Sequence, residues 1–251
     1  MNRDRARGSI GPVSQGYSAD AADRYQFVLN LLRKDLPPPQ RVVDLGAAPG
    51  EQSLGLARAG YEVTAVDLGI ASDAWEGAEE GSMERNFTEA GISFVKWNLE
   101  ETPYPLPDAS FDAVVMTEVF EHLRDYPARS LVEVRRILRP GGCLYFTTPN
   151  AAYVGNRFRL AAGRSVMTPL HDWIGGLPHA RHAREYTFGE ARELMAHAGL
   201  EPTLEASRHF YITSGRSSPL ARAGKRVIDG LARVRPTLGP MLVMVARRPV
   251  S

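Results

Sequence analysis

The chain alternates between short apolar runs and stretches with helical spacing. Tyr25, Val28, Leu29 and Leu32 share one face of a helix that Asp20 can cap and that runs to about Lys34, where Pro37-Pro38-Pro39 stops it. Apolar runs then recur at 42–45, 63–66, 92–97, 111–116 and 143–147. Helical stretches at 51–59, 72–90 and 126–138 separate them, and Gly60 and Pro140-Gly141-Gly142 end the first and last of these. Short buried strands alternating with helices imply crossover connections and a parallel sheet covered on both faces. After Pro149-Asn150 the rhythm changes. Residues 151–184 carry Gly155, Gly163, Pro169, Gly175-Gly176 and Pro178 among the aromatics Tyr153, Phe158 and Trp173. That segment is too long and too interrupted for a plain connection and is expected to form a lid. A helix at 188–198, a strand at 203–213, a basic helix at 220–234 and a last strand at 241–246 complete one α/β domain over residues 21–251. The basic helix, with Val227, Ile228 and Leu231 on its other side, reads as a packed surface helix. Residues 1–20, broken by Gly8, Gly11, Pro12 and Gly16, are expected to be flexible.

Composition narrows the class. The 251 residues are 43% hydrophobic and 24% charged, which excludes an intrinsically disordered chain. No apolar run approaches the roughly 18 residues needed to span a bilayer, so stable membrane insertion is not expected. The first residues are charged and polar, unlike a secretory signal. Cys143 is the single cysteine, which excludes an internal disulfide and a cysteine zinc site and fits a reducing, cytoplasmic setting. Thirty basic residues against 29 acidic ones give no bulk reason to expect nucleic acid, although a local basic patch stays open. A homodimer stays open.

The densest chemical signal lies at 42–60. A buried strand ends in Asp44-Leu45-Gly46, a small-residue loop follows, and a helix opens after Gly50. Gly46 and Gly50 let a ligand approach backbone where a Cβ would forbid it. The helix start offers unpaired N–H groups and partial positive charge. About twenty residues on, the next strand ends in Asp67, whose carboxylate can accept both hydroxyls of a ribose. The dinucleotide fingerprint needs a glycine where Ala48 stands, and Pro49 follows, which weakens a nicotinamide-dependent oxidoreductase.

Four blocks in order, VVDLGAAPG, AVD, WNLEETPYPLPDASFDAVVMTEVFEHL and RRILRPGGCLYFTTPN, resemble the class I S-adenosylmethionine-dependent methyltransferases over residues 42–150, with weaker similarity to about residue 200. The resemblance implies a Rossmann-like sheet of seven strands, the last antiparallel, with helices on both faces and a lid insertion after the fifth strand. It implies S-adenosylmethionine as cofactor. Asp44, Gly46, Ala47 and Gly50 would hold its methionine end, Asp67 its ribose, and Leu68, Asn98 and Leu99 its adenine, with Thr117 and Glu118 beside the sulfonium. Asn98 departs from the commoner acid at its place.

Glu118, Glu121 and His122 follow the fourth strand at spacings i, i+3 and i+4, which a helical turn would gather on one face. Such a cluster can bind a divalent cation, or His122 can serve as a general base. It can also simply bond backbone groups of the crevice. Together with HARHAREYT, it resembles the metal-dependent small-RNA 2′-O-methyltransferases and, in its first half, metal-dependent sugar and ubiquinone-type O-methyltransferases. That resemblance implies Mg²⁺ or Mn²⁺ held by Glu118, Glu121, His122 and either His182 or His179, with His182 at the matching offset before Glu185-Tyr186-Thr187. His182 and Glu185 can equally pin the lid to the sheet.

Such a cation would suit removal of an alcohol proton, which favours O-methylation of a sugar, glycan or other polyhydroxylated small molecule. In the lid, Arg157, His171 and Trp173 supply donors, acceptors and a platform for it. A metal-free phenol or quinone O-methyltransferase with His122 as base, and an RNA 2′-O-methyltransferase, stay open. A cofactor-binding scaffold without catalysis is the reading outside the enzyme class.

Overall fold

The structure, a computed structural model, describes residues 15–69, 81–167, 170, 181–210 and 219–250. Seven strands form one sheet in the order β3-β2-β1-β4-β5-β7-β6. The strands are β1 (Arg41–Leu45), β2 (Glu62–Asp67), β3 (Ser93–Lys96), β4 (Phe111–Thr117), β5 (Leu138–Pro149), β6 (Glu201–Arg208) and β7 (Met241–Arg247). The neighbours from β3 to β5 pair in parallel, and β7 runs antiparallel to both β5 and β6. The helices are α1 (Gln15–Asp35), α2 (Glu51–Arg58), α3 (Ser82–Glu89), α4 (Pro127–Ile137), α5 (Val154–Ala161), α6 (Phe188–His197) and α7 (Pro219–Val234).

The central strands carry consecutive apolar residues, Val42-Val43 in β1 and 113–116 in β4, because both faces are covered. Val42, Ala113 and Val115 enter a core with Val28 and Leu32 of α1, Leu54 and Leu56 of α2 and Phe87 of α3. Val43, Leu45, Val114 and Met116 enter the opposite core with Leu131, Val134 and Ile137 of α4 and Phe188 of α6. The period of two thus sorts adjacent residues to opposite layers. Strand order reverses between β1 and β4, and a crevice opens at such a point beyond the carboxyl ends of the strands.

Four local readings change. Helix α1 begins at Gln15, so residues 15–20 are helical, while 1–14 lie outside the described residues. Strand β5 begins at Leu138, with Pro140-Gly141-Gly142 inside it rather than before it. Leu138 pairs with Phe111 and Cys143 with Ala113, so the Pro-Gly-Gly segment is the long side of a bulge, with Gly141 at φ +83. Part of the expected lid is a regular helix, α5, which has no buried residue. Val227 and Leu231 of α7 are exposed, because the described residues of that helix seat on the body through Ile228 and Ala232.

Candidate active site

The loop after β1 is built by glycine and by main-chain bonds to β2. Gly46 has φ +76, and a Cβ there would stand 2.3 Å from Val119 Cγ2, so only glycine fits. The Gly46 and Ala47 N–H groups both donate to Val66 O. Gly50, at φ +103, caps α2 and offers no side chain to the first N–H groups of that helix. Asp67, ending β2, accepts from Ala48 N and Gly69 N at 3.0 Å each. Its carboxylate is thereby fixed across the loop from Asp44.

Asp44 is buried and accepts the Ser53 hydroxyl at 2.6 Å. Burial pushes its carboxyl up to about 7; the Ser53 bond opposes this, the nearby Asp67 charge adds to it, and Arg24 lowers it. Arg24 is a buried guanidinium on α1 that acts on both Asp44 and Glu121. Sequence reasoning passed over it, although Ala21, Arg24, Val28 and Leu32 are spaced 3, 4 and 4, which sets Arg24 on the buried face of α1.

Other expected cofactor positions vary. Leu68 is exposed just past β2, and Thr117 is buried at the end of β4. Leu99 is buried in the core beside Tyr104. Asn98 is engaged in its own turn: Oδ1 accepts Glu100 N at 3.1 Å and Nδ2 donates to Glu101 Oε1 at 3.2 Å. Its amide is thus held by local partners in the β3–β4 loop.

After β4 the chain makes a 3₁₀ turn, Phe120–His122, not a helix starting at 118. Glu118 precedes it at φ +56, a conformation rare for a side-chain-bearing residue, and accepts the Thr147 hydroxyl at 3.1 Å. Glu121 points inward. Its Oε2 accepts the Thr148 hydroxyl at 2.9 Å, whereas the buried Oε1 has no hydrogen-bond partner among the described residues. Burial first, and the Glu118 charge second, hold its carboxyl well above the ordinary carboxylate range.

His182 arrives from sixty residues away. The Ala183 and Arg184 N–H groups donate to the Glu121 carbonyl, at 2.7 and 3.2 Å, and tie that segment to the turn. The His122 and His182 rings meet edge to face, centroids 5.0 Å apart. His122 Nδ1 donates to Arg181 O at 3.2 Å and His182 Nδ1 to Glu185 Oε1 at 3.0 Å. Each bond selects the tautomer whose Nε2 carries the lone pair, the arrangement typical of imidazole ligands with an orienting partner.

One ligand atom each from Glu121, His122 and His182 lie within 4.8 Å of one another. These residues fit a divalent cation on donor chemistry, and Glu121 Oε1 has no hydrogen-bond partner among the described residues. Glu118 is not of that group, a correction to the expected set: the 3₁₀ turn begins two residues after it, so the i, i+3, i+4 convergence does not form. His171, Trp173 and His179 lie outside the described residues. Arg157, expected at substrate, donates instead to Ala152 O and Thr237 O, at 2.6 and 3.4 Å.

Known proteins share this architecture. The family described as "Methyltransferase domain" matches residues 17–205. A dimethylglycine N-methyltransferase of Parasynechococcus marenigrum is 32% identical over 195 residues, covering 76% of this chain and 64% of that protein. A ubiquinone biosynthesis O-methyltransferase of Alkalilimnicola ehrlichii is 30% identical over 138 residues, covering 53% of each. The chain therefore spans about half to two thirds of the length of these relatives. Among solved structures, the 1,6-didemethyltoxoflavin-N1-methyltransferase of Burkholderia thailandensis, with bound 1,6-didemethyltoxoflavin and S-adenosylhomocysteine, superposes with a TM-score of 0.59 at 20% identity, covering 93% of this chain and 80% of that one, which speaks to fold. With the sheet order, the glycine loop and the spaced acids, these matches show that the chain belongs to the class I S-adenosylmethionine-dependent methyltransferases.

Proposed function

We propose that this protein transfers a methyl group from S-adenosylmethionine to a hydroxyl of a sugar or related polyhydroxylated small molecule, with a divalent cation held by Glu121, His122 and His182. The observation that carries the reading is the three-residue cluster with two oriented imidazoles and a buried, half-satisfied carboxylate. A cation bound there would lower the pKa of an acceptor hydroxyl.

The chain's own residues divide the remaining work. Asp44 and Arg24 face each other in charge and suit an amino group and a carboxylate, the two ends of a methionine moiety. Asp67, fixed by two main-chain N–H groups, suits a ribose diol. In-line transfer forms a C–O bond as the C–S bond breaks, and the acceptor proton must leave. Glu118, outside the ligand group yet close enough to raise Glu121, is the carboxylate assigned to take it. Thr147 and Thr148 anchor the two carboxylates at the end of β5.

The test is an acceptor screen against sugars, glycans, phenols, amines and short RNA, with and without chelator, alongside Mn²⁺ binding followed by electron paramagnetic resonance. Chelation should abolish activity and Mn²⁺ restore it, and His182→Ala should lose the bound-Mn²⁺ signal. Full activity after exhaustive chelation refutes the cation. It would favour the second reading, metal-free O-methylation with His122 Nε2 as base, to which the ubiquinone relative lends support.

A further inference from the structure

Helix α7 has two unlike faces. Ile228 and Ala232 turn toward the body, while Val227, Leu231 and Val234 are 62%, 45% and 89% exposed. The spacing i, i+4, i+7 aligns these three in one outward stripe. Arg226 and Arg233 are exposed along one flank of that stripe and Arg235 at its end. The stretch 219–235 also contains Arg222 and Lys225, against the single acid Asp229. Aliphatic side chains bounded by cations gain little by facing water, and the described structure covers them with nothing.

A second exposed set lies on α5, which touches the turn after α7. On α5, Phe158 and Leu160 are 72% and 58% exposed, and no acidic residue occurs between 151 and 170, where Arg157, Arg159 and Arg164 stand. Arg157 Nη2 reaches Thr237 O in the turn that follows α7, which puts that turn against α5. Helix α5 follows directly from the carboxyl end of β5, the crevice side of the sheet.

We propose that α7, with α5 beside it, docks this end of the molecule on an anionic lipid bilayer, lying in the headgroup layer rather than crossing it. The charge decides the occupant: an apolar stripe with basic flanks matches a surface that is both negative and penetrable. An acidic protein would meet the arginines but leave the aliphatic stripe without a matching layer. No described helix is long and apolar enough to span a membrane, consistent with a peripheral contact. The proposal does not depend on the cation or on the acceptor assigned above.

Cosedimentation of the full chain with phosphatidylcholine vesicles, pure or containing 30% phosphatidylglycerol, tests it. Binding should require the anionic lipid and weaken in 0.5 M NaCl. Arg226→Gln with Arg233→Gln should lower the partition coefficient about 25-fold, at about fivefold for each basic residue removed from the surface. Leu231→Ser should lower it roughly tenfold. These side chains are exposed, so thermal midpoints should stay at the wild-type value. Equal binding to neutral and anionic vesicles, or retention by all variants, overturns the proposal. So does concentration-dependent dimerisation that Leu231→Ser abolishes, which would assign the stripe to a second copy.

Discussion

Replacing Asp44 by Asn should strengthen the fold at alkaline pH while weakening the cofactor site. Buried Asp44 holds its proton until about pH 7, whereas an unfolded chain releases it near 3.8. Between those values the folded state binds more protons than the unfolded one, so rising pH favours unfolding, and the loss is complete above about pH 8. The difference amounts to about 4 kcal/mol, at about 1.4 kcal/mol for each tenfold change in protonation. Asn keeps an oxygen for the Ser53 hydroxyl and has no proton to lose. Urea denaturation at pH 4 should give two proteins of nearly equal stability. At pH 8.5 the variant should be more stable by up to about 4 kcal/mol, roughly 10 °C in Tm for a chain of this size. Glu121 titrates in both proteins and cancels from the comparison. In parallel, calorimetry with S-adenosylhomocysteine should show affinity reduced about 10- to 100-fold, the loss of a charge-assisted bond. A stability gap that does not change with pH, or a variant weaker than wild type at pH 8.5, would refute the reasoning.

Three further outcomes follow from the geometry. Gly46→Ala combines left-handed strain with a clash on Val119 and should cost about 2–4 kcal/mol in urea denaturation, with Val119→Ala restoring part of it; Gly60→Ala, where a Cβ has 3.6 Å to Pro38, should cost only about 1–2. Arg24→Leu removes a buried cation that lowers both the Asp44 and Glu121 carboxyls and should destabilise the fold more at pH 8.5 than at pH 5 in urea denaturation, and adding Asp44→Asn should shrink that pH dependence. Glu185→Gln removes the anion that orients His182 and should weaken Mn²⁺ binding 10- to 100-fold while leaving the melting curve in place.

The features read directly from the sequence are the local ones. Strand, glycine turn and helix from Arg41 to Arg58 are consecutive in the chain, and the two-sided burial of β1 and β4 writes the short apolar runs at 42–43 and 113–116. Pro140-Gly141-Gly142 misled because a bulge and a loop share the same composition, and only the pairing of Leu138 with Phe111 distinguishes them. Glu118 misled for another reason. Spacing arguments assume where a turn starts, and a positive φ at a glutamate is set by what packs around it. The solvent-facing Val227 and Leu231 obey the right helical period, which reports that a face is apolar and not whether anything covers it.

The joint between the 3₁₀ turn and the incoming segment is made of peptide groups: one carbonyl, at Glu121, receives two amides, from Ala183 and Arg184. Those two bonds are made by the main chain alone, and the His122 ring adds one more to Arg181 O. A substitution at His182 therefore leaves both of those main-chain hydrogen bonds able to form. The position of residue 182 beside the turn is thus set by peptide groups before any side chain acts there.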